Sequence, residues 1–560
     1  MSRDWRAPAQ LADFTARLWA KDATLWSADP AHRAVAANRL GWLDLPARMA
    51  PEVAGLEAFA EEVAAEGFTH AVLLGMGGSS LAPEVLRSTF GVRPGRLELT
   101  VLDNTSPAAV RAVGATHDPA RTLFVVSSKS GGTIEVASFE KHFFEWVRAA
   151  RGDDAGRAFV AITDPGTALA ALAATRGYRR TFLNPADIGG RYSALSCFGL
   201  VPAALIGADL RALLASAAAE ARRSGPAAPV EGGAVQLGAR LGGYALEHRD
   251  KLTFVPGPGL EALGSWLEQL VAESTGKDGR GIVPVDLEPP APPGAYGEDR
   301  VFVELIAGPP SPALPPALQL LRDAGHPVLR ERLDGLAGLG GAFLRWEIAT
   351  AAAGAVLGVD PFDEPNVAEA KQATQVVLER FLADGRFPDE TPVAEDDGLA
   401  AYAPLAVRER LAARAKADPV GWAGALLALA GPGDYFALLA YLRRTPAVHE
   451  RLQRLRLAAR AYTHVATTLG YGPRFLHSTG QLHKGGPATG VFLQLTADEG
   501  DEVAIPGEPY GFGALRREQA AGDFEVLARR GRRVVRIHLG AAIERGLDAL
   551  VEGLGAAVRA

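Results

Sequence analysis

The sequence predicts an α/β fold in which mostly parallel sheets are flanked by helices. Over residues 66–207, short apolar runs alternate with segments of helical periodicity. The apolar runs are Ala71–Leu74, Leu97–Asp103, Leu123–Val126 and Phe159–Ile162. Such alternation is typical of parallel strands joined by crossover helices, and ligands of these sheets bind outside the carboxyl ends of the strands. A second alternating block, ending near Lys371, contains the candidate strands Lys251–Pro256, Val301–Ile306 and Val328–Leu333.

The length of the chain, 560 residues, suggests three or four domains. We expect a helical N-terminal segment, two α/β domains, and a helical and α+β C-terminal extension, over residues 1–65, 66–223, 224–372 and 373–560. Within the extension, residues 373–470 are predicted to be mainly helical. Strands are expected there around Gly490–Thr496 and Val534–Ile537.

The composition argues against several classes of function. The formal net charge is −7 and no dense cluster of Lys and Arg is present, so nucleic acid is not an expected partner. No apolar run approaches the length that spans a bilayer, and the first residues lack the apolar core of a secretion signal. Cys197 is the single cysteine, so no internal disulfide can form. These features predict a cytoplasmic protein without a membrane partner.

The turn at 127–133, SSKSGGT, lies between an apolar strand and a helical pattern. The first amides of a helix have no intrahelical partners, and the helix dipole places partial positive charge there. The side chains that can add hydrogen bonds or charge are those of Ser127, Ser128, Lys129, Ser130 and Thr133. An ordinary N-cap needs one hydroxyl, whereas this turn offers four and a lysine. The pattern therefore favours a phosphate-binding turn, without the residue order of a nucleotide P-loop.

A second glycine turn, GMGGSS at 75–80, also follows a strand and precedes a helix. Gly78 and Ser79 lie at its centre. Turns of this kind also bind dinucleotides, but the GxGxxG spacing is absent. That alternative stays open because Asp103 ends the next strand. If two strand ends of one sheet face one anion, the two turns form a single site.

Three further polar residues lie in suggestive positions. Arg191 follows two glycines in GGRYS, where its guanidinium can reach into a cleft, although most arginines lie on the surface. Gln269 and Glu273 are four residues apart on a helix and therefore share a face. A carboxylate at a helix end has a raised pKa, which suits a general base near neutrality. The alternative for Glu273 is a solvated helix-end glutamate.

Two later stretches carry the remaining candidates. In DPFDEPNVAEAK at 360–371, Lys371 lies one or two turns into a helix that Asp363 can cap, and the alternative is a capped surface helix. LHSTGQLHKGGP at 476–487 has two histidines, His477 and His483, and histidine titrates near neutrality. A metal site in this loop would need a third ligand, and none is apparent.

Taken together, these motifs resemble the phosphoglucose isomerase family. GMGGSSLAPEVL, SSKSGGTIE, GGRYSALSCFGLVPAALIG, ESTGKDGRG and DPFDEPNVAEAK occur in the order that this family shows, over roughly residues 66–375. LWAKDATLW, RLGWLDL and LHSTGQLHKGGP are similar to the isomerase half of bifunctional transaldolase–phosphoglucose isomerases. The resemblance implies two sugar-isomerase (SIS) domains, interconversion of glucose 6-phosphate and fructose 6-phosphate, and no metal or other cofactor.

The resemblance also implies roles for individual residues. Glu273 is similar to the base that carries the proton between C2 and C1, Arg191 to the residue that stabilises the enediolate, and Lys371 to the ring-opening lysine. Gln269 would contact the sugar. The residues implied to hold the substrate phosphate are Gly78, Ser79, Ser128, Lys129, Ser130 and Thr133.

The sequence departs from the family pattern in two places. Glu364 stands where the family has glutamine, which adds a negative charge near the predicted site. The segment PPGAYGEDR at 292–300 lacks the ring-opening histidine that many bacterial members carry in this region. We expect His477 to have taken over that role, with His483 as the rival. In family dimers this histidine comes from the partner subunit, so the resemblance implies a homodimer.

Three alternatives remain open at the level of sequence. One is dual activity on mannose 6-phosphate. Another is a phosphosugar-binding SIS regulator without turnover, although such a regulator should lack the base and usually carries a DNA-binding helix-turn-helix. The third, transaldolase activity, needs a lysine on a barrel strand, and Lys251 is the nearest candidate.

Overall fold

A computed structural model of the chain describes residues 11, 13–228, 233–309, 313–366, 369, 390–498 and 500–559. The N-terminal segment is helical, as predicted. Its helices are α1 Phe14–Trp19, α2 Pro30–Ala37, α3 Leu45–Met49 and α4 Val53–Ala65. The side chain of Trp26 is buried, and its indole N–H donates to the carbonyl of Ala351 over 2.8 Å. This bond fastens the segment to a helix far along the chain.

The first sheet contains five parallel strands in the order β2-β1-β3-β4-β5. The strands are β1 His70–Gly75, β2 Glu98–Leu102, β3 Thr122–Ser127, β4 Phe159–Thr163 and β5 Arg180–Leu183. The helices that follow α4 in this part of the chain are α5 Leu81–Phe90, α6 Pro107–Thr116, α7 Ile134–Arg151, α8 Ala168–Thr175, α9 Cys197–Ile206 and α10 Leu210–Arg223. β3 and β4 are buried along their whole length, as parallel strands covered on both faces must be.

The second sheet contains four parallel strands in the order β7-β6-β8-β9. They are β6 Lys251–Pro256, β7 Val283–Val285, β8 Arg300–Ala307 and β9 Val328–Leu333. The helices of this part are α11 Ala234–Leu246, α12 Leu263–Thr275, α13 Pro316–Asp323 and α14 Leu339–Leu357. α14 is apolar and almost wholly buried.

The third sheet has the order β10-β11-β15-β14-β12-β13, in which the last four strands are parallel and β10 and β11 are antiparallel. Its strands are β10 Ala394–Asp396, β11 Leu399–Tyr402, β12 Tyr435–Tyr441, β13 Ala466–Tyr471, β14 Gly490–Thr496 and β15 Arg533–His538. Its helices are α15 Leu405–Leu411, α16 Pro419–Leu427, α17 Pro446–Thr463, α18 Gly480–Gly485, α19 Phe512–Arg529 and α20 Ile543–Arg559.

The prediction that residues 373–470 are mainly helical is therefore wrong for the described part of that range. Four strands of this range were missed: β10, β11, β12 and β13. β12, with the sequence YFALLAY, lies between β13 and β14 and is buried at every position. A run that is apolar on both faces has no alternation, and periodicity cannot distinguish it from a buried helix segment.

The three sheets repeat one strand order. In each, the first parallel strand has the second on one side and the third and then the fourth on the other: β2-β1-β3-β4, β7-β6-β8-β9 and β13-β12-β14-β15. We call the three sheets with their helices the first, second and third units. The sheets fall within the predicted ranges 66–223, 224–372 and 373–560, and the exact domain boundaries stay a prediction.

One apolar core runs through the first two units, and the third unit shares core residues with both. Phe512 and Leu515 of the third unit belong to the large cluster of the first two units. Val283 and Val285 of the second unit belong to a cluster that is otherwise built mainly by the third. In the described part of the chain, no helix is both long enough and apolar enough to span a bilayer.

Candidate active site

Two turns end neighbouring strands at one edge of the first sheet. Gly75, at the end of β1, pairs with Ser127, at the end of β3. The Ser127 hydroxyl donates to the carbonyl of Ser79 over 3.1 Å, so the turns at 75–80 and 127–133 are tied together. These turns carry all the residues predicted to bind phosphate: Gly78, Ser79, Ser128, Lys129, Ser130 and Thr133.

The turn before α7 is not an ordinary helix cap. Thr133 immediately precedes the helix, yet its side chain makes no capping hydrogen bond. Instead, the Thr133 and Ser128 hydroxyls lie 3.1 Å apart and bond each other. Ser130 is exposed at the tip of the turn. The N-terminal amides of α7 are consequently left without a side-chain cap, as an anion site requires.

Lys129 makes an ion pair that the sequence did not predict. Its ammonium lies 2.5 Å from the carboxylate of Asp164, which follows the neighbouring strand β4. The backbone carbonyl of Lys129 accepts a hydrogen bond from the Asp164 amide over 3.2 Å. The positive charge at this turn is therefore balanced by a carboxylate, and the neutral hydroxyls and amides are the remaining donors.

Arg191 lies in a short 3-10 turn, Gly190–Tyr192, that packs against the turn at 75–80. A Cβ atom on Gly78 would lie 2.1 Å from the carbonyl oxygen of Gly190, so only glycine permits this approach. The Arg191 side chain is buried, with 3% exposure, which excludes the surface alternative. Its Nε donates to the hydroxyl of Ser274 over 2.8 Å.

The guanidinium of Arg191 faces two carboxylates. Its Nη1 lies 3.4 Å from Glu273 Oε1 and 3.1 Å from Glu364 Oε2. Burial alone would lower the pKa of Arg191, but the charges of Glu273 and Glu364 raise it above its ordinary value. Arg191 therefore stays charged, and Glu364, a partly exposed carboxylate, pairs with it directly.

Glu273 is buried near the end of α12, on the same helix face as Gln269. Gln269 Nε2 donates to Glu273 Oε2 over 3.0 Å and to the backbone carbonyl of His477 over 2.8 Å. Burial raises the pKa of Glu273, against the lowering effect of Arg191, and the nearby charge of Glu364 raises it further. The solvated-glutamate alternative is thus excluded, and the carboxyl titrates closer to neutrality.

His477 comes from the third unit and pairs with a residue that the sequence did not reveal. Its Nε2 lies 2.8 Å from Oε1 of Glu135, a buried carboxylate in the first turn of α7. The same oxygen accepts from Gln519 Nε2 over 2.7 Å. Glu135 ends the motif SSKSGGTIE, but an acidic residue in the first turn of a helix is common, so its spacing carried no signal.

His483 does not reach this cluster. Its ring is 3% exposed and is surrounded by the rings of Tyr435, Phe475 and Phe492. Its Nδ1 has no hydrogen-bond partner in the described part of the chain. Burial, together with the charge of Lys484, lowers the pKa of His483 well below its ordinary value. The rival assignment for the ring-opening histidine is therefore not supported.

Lys277 is a second residue that sequence reasoning did not select. Burial and the charge of Arg191 lower its pKa to about 8. Its ammonium lies 2.5 Å from the Asp363 carboxylate and donates to the carbonyl of Asp360. Lys277 thereby anchors the turn that precedes Glu364. Lys371, the predicted ring-opening lysine, lies outside the described residues.

The chain is similar to known proteins in both sequence and structure. The family model described as phosphoglucose isomerase matches residues 58–286. A glucose-6-phosphate isomerase of Rubrobacter xylanophilus is 31% identical over 389 residues, which cover 61% of this chain and 89% of that protein. A glucose-6-phosphate isomerase of Thermus thermophilus is 35% identical over 248 residues, 44% of this chain and 58% of that protein.

Among solved structures, a hypothetical protein from Thermus thermophilus superimposes with a TM-score of 0.56 at 28% sequence identity. The superposition covers 65% of this chain and 93% of that protein, so the rest of this chain has no counterpart in that structure.

Proposed function

The chain belongs to the phosphoglucose isomerase family, and we propose that it interconverts glucose 6-phosphate and fructose 6-phosphate. The proton would move between C2 and C1 through an enediolate after the sugar ring has opened. One observation carries the proposal. A buried carboxylate, Glu273, lies beside a buried guanidinium, Arg191, close to two turns rich in hydrogen-bond donors.

The reaction needs each of these groups. The C2 proton is weakly acidic, so its removal requires a carboxylate base and a cation for the developing oxyanion. Glu273 is the base in this proposal, because burial brings its pKa nearer to neutrality while Arg191 preserves an ionised fraction. Arg191 also stabilises the enediolate, since it is charged at any working pH.

The two turns hold the phosphate away from the reacting carbons. Ser79, Ser128, Ser130 and Thr133 donate hydrogen bonds, with Gly78 at the edge and the amides of α7 behind them. Lys129 contributes less than its charge suggests, because Asp164 pairs with it. Binding energy from the phosphate orients C1 and C2 toward Glu273. Gln269 contacts the sugar and holds the base.

Ring opening is assigned to His477, assisted by Lys371. The contact between His477 and Glu135 supports this assignment, because a carboxylate fixes the tautomer and the orientation of the imidazole that it contacts. A cytoplasmic location and a homodimer belong to the same proposal. The first is supported by the single buried cysteine, Cys197, and the second by family resemblance.

A coupled assay tests the proposed reaction. The protein is given fructose 6-phosphate together with glucose-6-phosphate dehydrogenase and NADP, and NADPH formation is followed by its absorbance. We expect NADPH to form only when the protein is present, and formation to stop in Glu273→Gln. A non-catalytic SIS regulator would bind the sugar phosphate in a calorimeter without producing NADPH, which would refute the proposal.

A further inference from the structure

We infer that the third unit completes the active site of its own chain, so that the ring-opening histidine acts in cis. The inference rests on the proposed function and specifies how that site is assembled. It gives a role to residues 390–559, all of which lie beyond the family match at 58–286. It also replaces the expectation that the histidine reaches the site from a partner subunit.

One loop of the third unit lies against the proposed site. Residues 474–486, here called the histidine loop, follow β13 and contain a 3-10 turn, Arg474–His477, and helix α18. The carbonyl of His477 accepts the Gln269 amide of the same chain. Gly77 lies beneath this contact, with φ +54°, and a Cβ atom there would lie 2.7 Å from that carbonyl. The first unit is therefore shaped to receive the loop.

The histidine loop also packs tightly against the second unit. A Cβ atom on Gly276 would lie 2.4 Å from the Cα of Leu482, so the backbones are in direct contact. Gln481 is fully buried, and its Nε2 donates to the carbonyl of Gly276 over 3.0 Å and to Asn366 Oδ1 over 2.8 Å. If the loop leaves, these groups exchange their bonds for bonds to water, and each intramolecular hydrogen bond contributes about 0.5–1.5 kcal/mol net to keeping the loop in place.

Buried charges hold the rest of the third unit in place. Glu288 of the second unit accepts from the Thr467 amide over 3.1 Å and pairs with Arg300. Arg456 of the third unit is 1% exposed and donates to the carbonyl of Asp286 over 2.8 Å. Removing one partner from such a network leaves a buried charge, so the interface is not readily opened.

The third unit also contacts helix α7 of the first unit. Phe139 of α7 stacks on Phe512 at a centroid distance of 5.6 Å. Lys141, also on α7, makes an ion pair with Glu508. The third unit is thus fixed to both other units around the site. A domain-swapped dimer would make the same contacts between chains, and the experiments must separate that arrangement from ours.

The first experiment does not depend on activity. Lys141 and Glu508 are partly exposed, at 36% and 26%, so Lys141→Cys with Glu508→Cys can be joined by a short bis-maleimide. The native Cys197 is buried, and each single variant serves as the control. We expect the cross-linked double variant to migrate as one chain on a denaturing gel at every protein concentration. A product with the mass of two chains would overturn the inference.

The second experiment tests the site itself. Glu273→Gln and His477→Ala carry different affinity tags, are co-expressed, and are purified through both tags. If the histidine acts in cis, every site has one defect, and the mixed dimer stays at or below about 5% of wild-type turnover, because only half of its sites keep the base and those are about tenfold slower. If it acts in trans, one site of two is intact and the mixed dimer recovers about half of wild-type turnover. His477→Asn replaces the alanine variant if the latter fails to fold.

The remaining outcomes are also informative. If no mixed dimer forms, the turnover of fructose 6-phosphate by the wild-type monomer is measured over a dilution series. A turnover rate per chain that does not change with dilution supports the inference directly. If the wild-type protein has no turnover, the proposed function fails, while the cross-link of Lys141→Cys and Glu508→Cys still decides how the units are assembled.

Discussion

Glu364 offers the sharpest test of the electrostatics of the site. Its carboxylate lies 3.1 Å from the same Arg191 nitrogen that faces Glu273 at 3.4 Å. Its negative charge therefore raises the pKa of the proposed base in two ways, by direct repulsion and by partly neutralising Arg191. Replacing Glu364 by glutamine keeps the shape and removes the charge, so the pKa of Glu273 should fall.

The size of the effect follows from the geometry. Both carboxylates contact Arg191 Nη1, so their oxygens lie at most about 6.5 Å apart. At that separation, and at an effective dielectric constant of about 20, the Coulomb repulsion between two unit charges is about 2.5 kcal/mol. The Glu364 side chain is 43% exposed, so solvent screening reduces this to about 1 kcal/mol. That energy corresponds to about 0.7 pH units.

The assay is the pH profile of kcat/KM from about pH 5 to 9, with the coupling enzyme kept in excess at each pH. Only the ionised carboxylate of Glu273 accepts a proton, so activity falls as pH drops through its pKa. In Glu364→Gln this acid limb should move to lower pH. Glu409→Gln, an exposed change on α15, is the matched control. An acid limb that stays in place or moves to higher pH would refute the reasoning.

Four further outcomes are expected. Glu273→Gln should lower kcat by about 10³-fold and leave KM nearly unchanged, since phosphate binding is kept; a near-normal kcat would remove Glu273 as the base. His477→Ala should slow ring-closed sugar about tenfold more than an open-chain substrate, whereas equal effects would move ring opening elsewhere. Gly77→Ala should lower kcat about tenfold or more, because the added Cβ displaces the His477 carbonyl. Gly95→Ala is the control for backbone strain alone, since Gly95 also has a positive φ, +81°, but no atom lies near the position of its Cβ. Burial lowers the pKa of His483 in the folded protein, so the free energy of unfolding should fall by about 1 kcal/mol per pH unit below about pH 6.5, where the unfolded chain binds a proton that the folded chain does not. Urea unfolding at about pH 7 and about pH 5.5 should show this loss, and His483→Leu should reduce it.

The first unit and its two turns could be predicted from the sequence because local rules govern them. A buried parallel strand followed by a donor-rich turn and an amphipathic helix specifies the position of an anion site within one supersecondary element. The alternation of strands and helices alone therefore placed Ser79 and Ser127 at the same edge. Arg191 and Glu273 were selected in part through resemblance, since their spacing did not distinguish them from surface residues.

The parts that the sequence could not predict depend on contacts between distant residues. Glu135 and His477 are far apart along the chain and meet only because the third unit packs on α7. The pair of Lys129 and Asp164 likewise joins two strand ends that nothing local connects. β12 was missed because complete burial removed the alternation that reveals a strand. In each case tertiary packing determines the role and leaves no local pattern.

The shared core between the second and third units has a practical consequence for anyone who shortens this protein. A fragment cut near residue 366, after the second unit, would still contain two whole sheets. It would, however, bring Ala272, Val283 and Val285 into contact with water, since these residues are now covered by aromatic and aliphatic side chains of the third unit. Such a fragment would carry an exposed apolar patch and tend to precipitate. Expression trials should therefore keep the chain intact to its last helix.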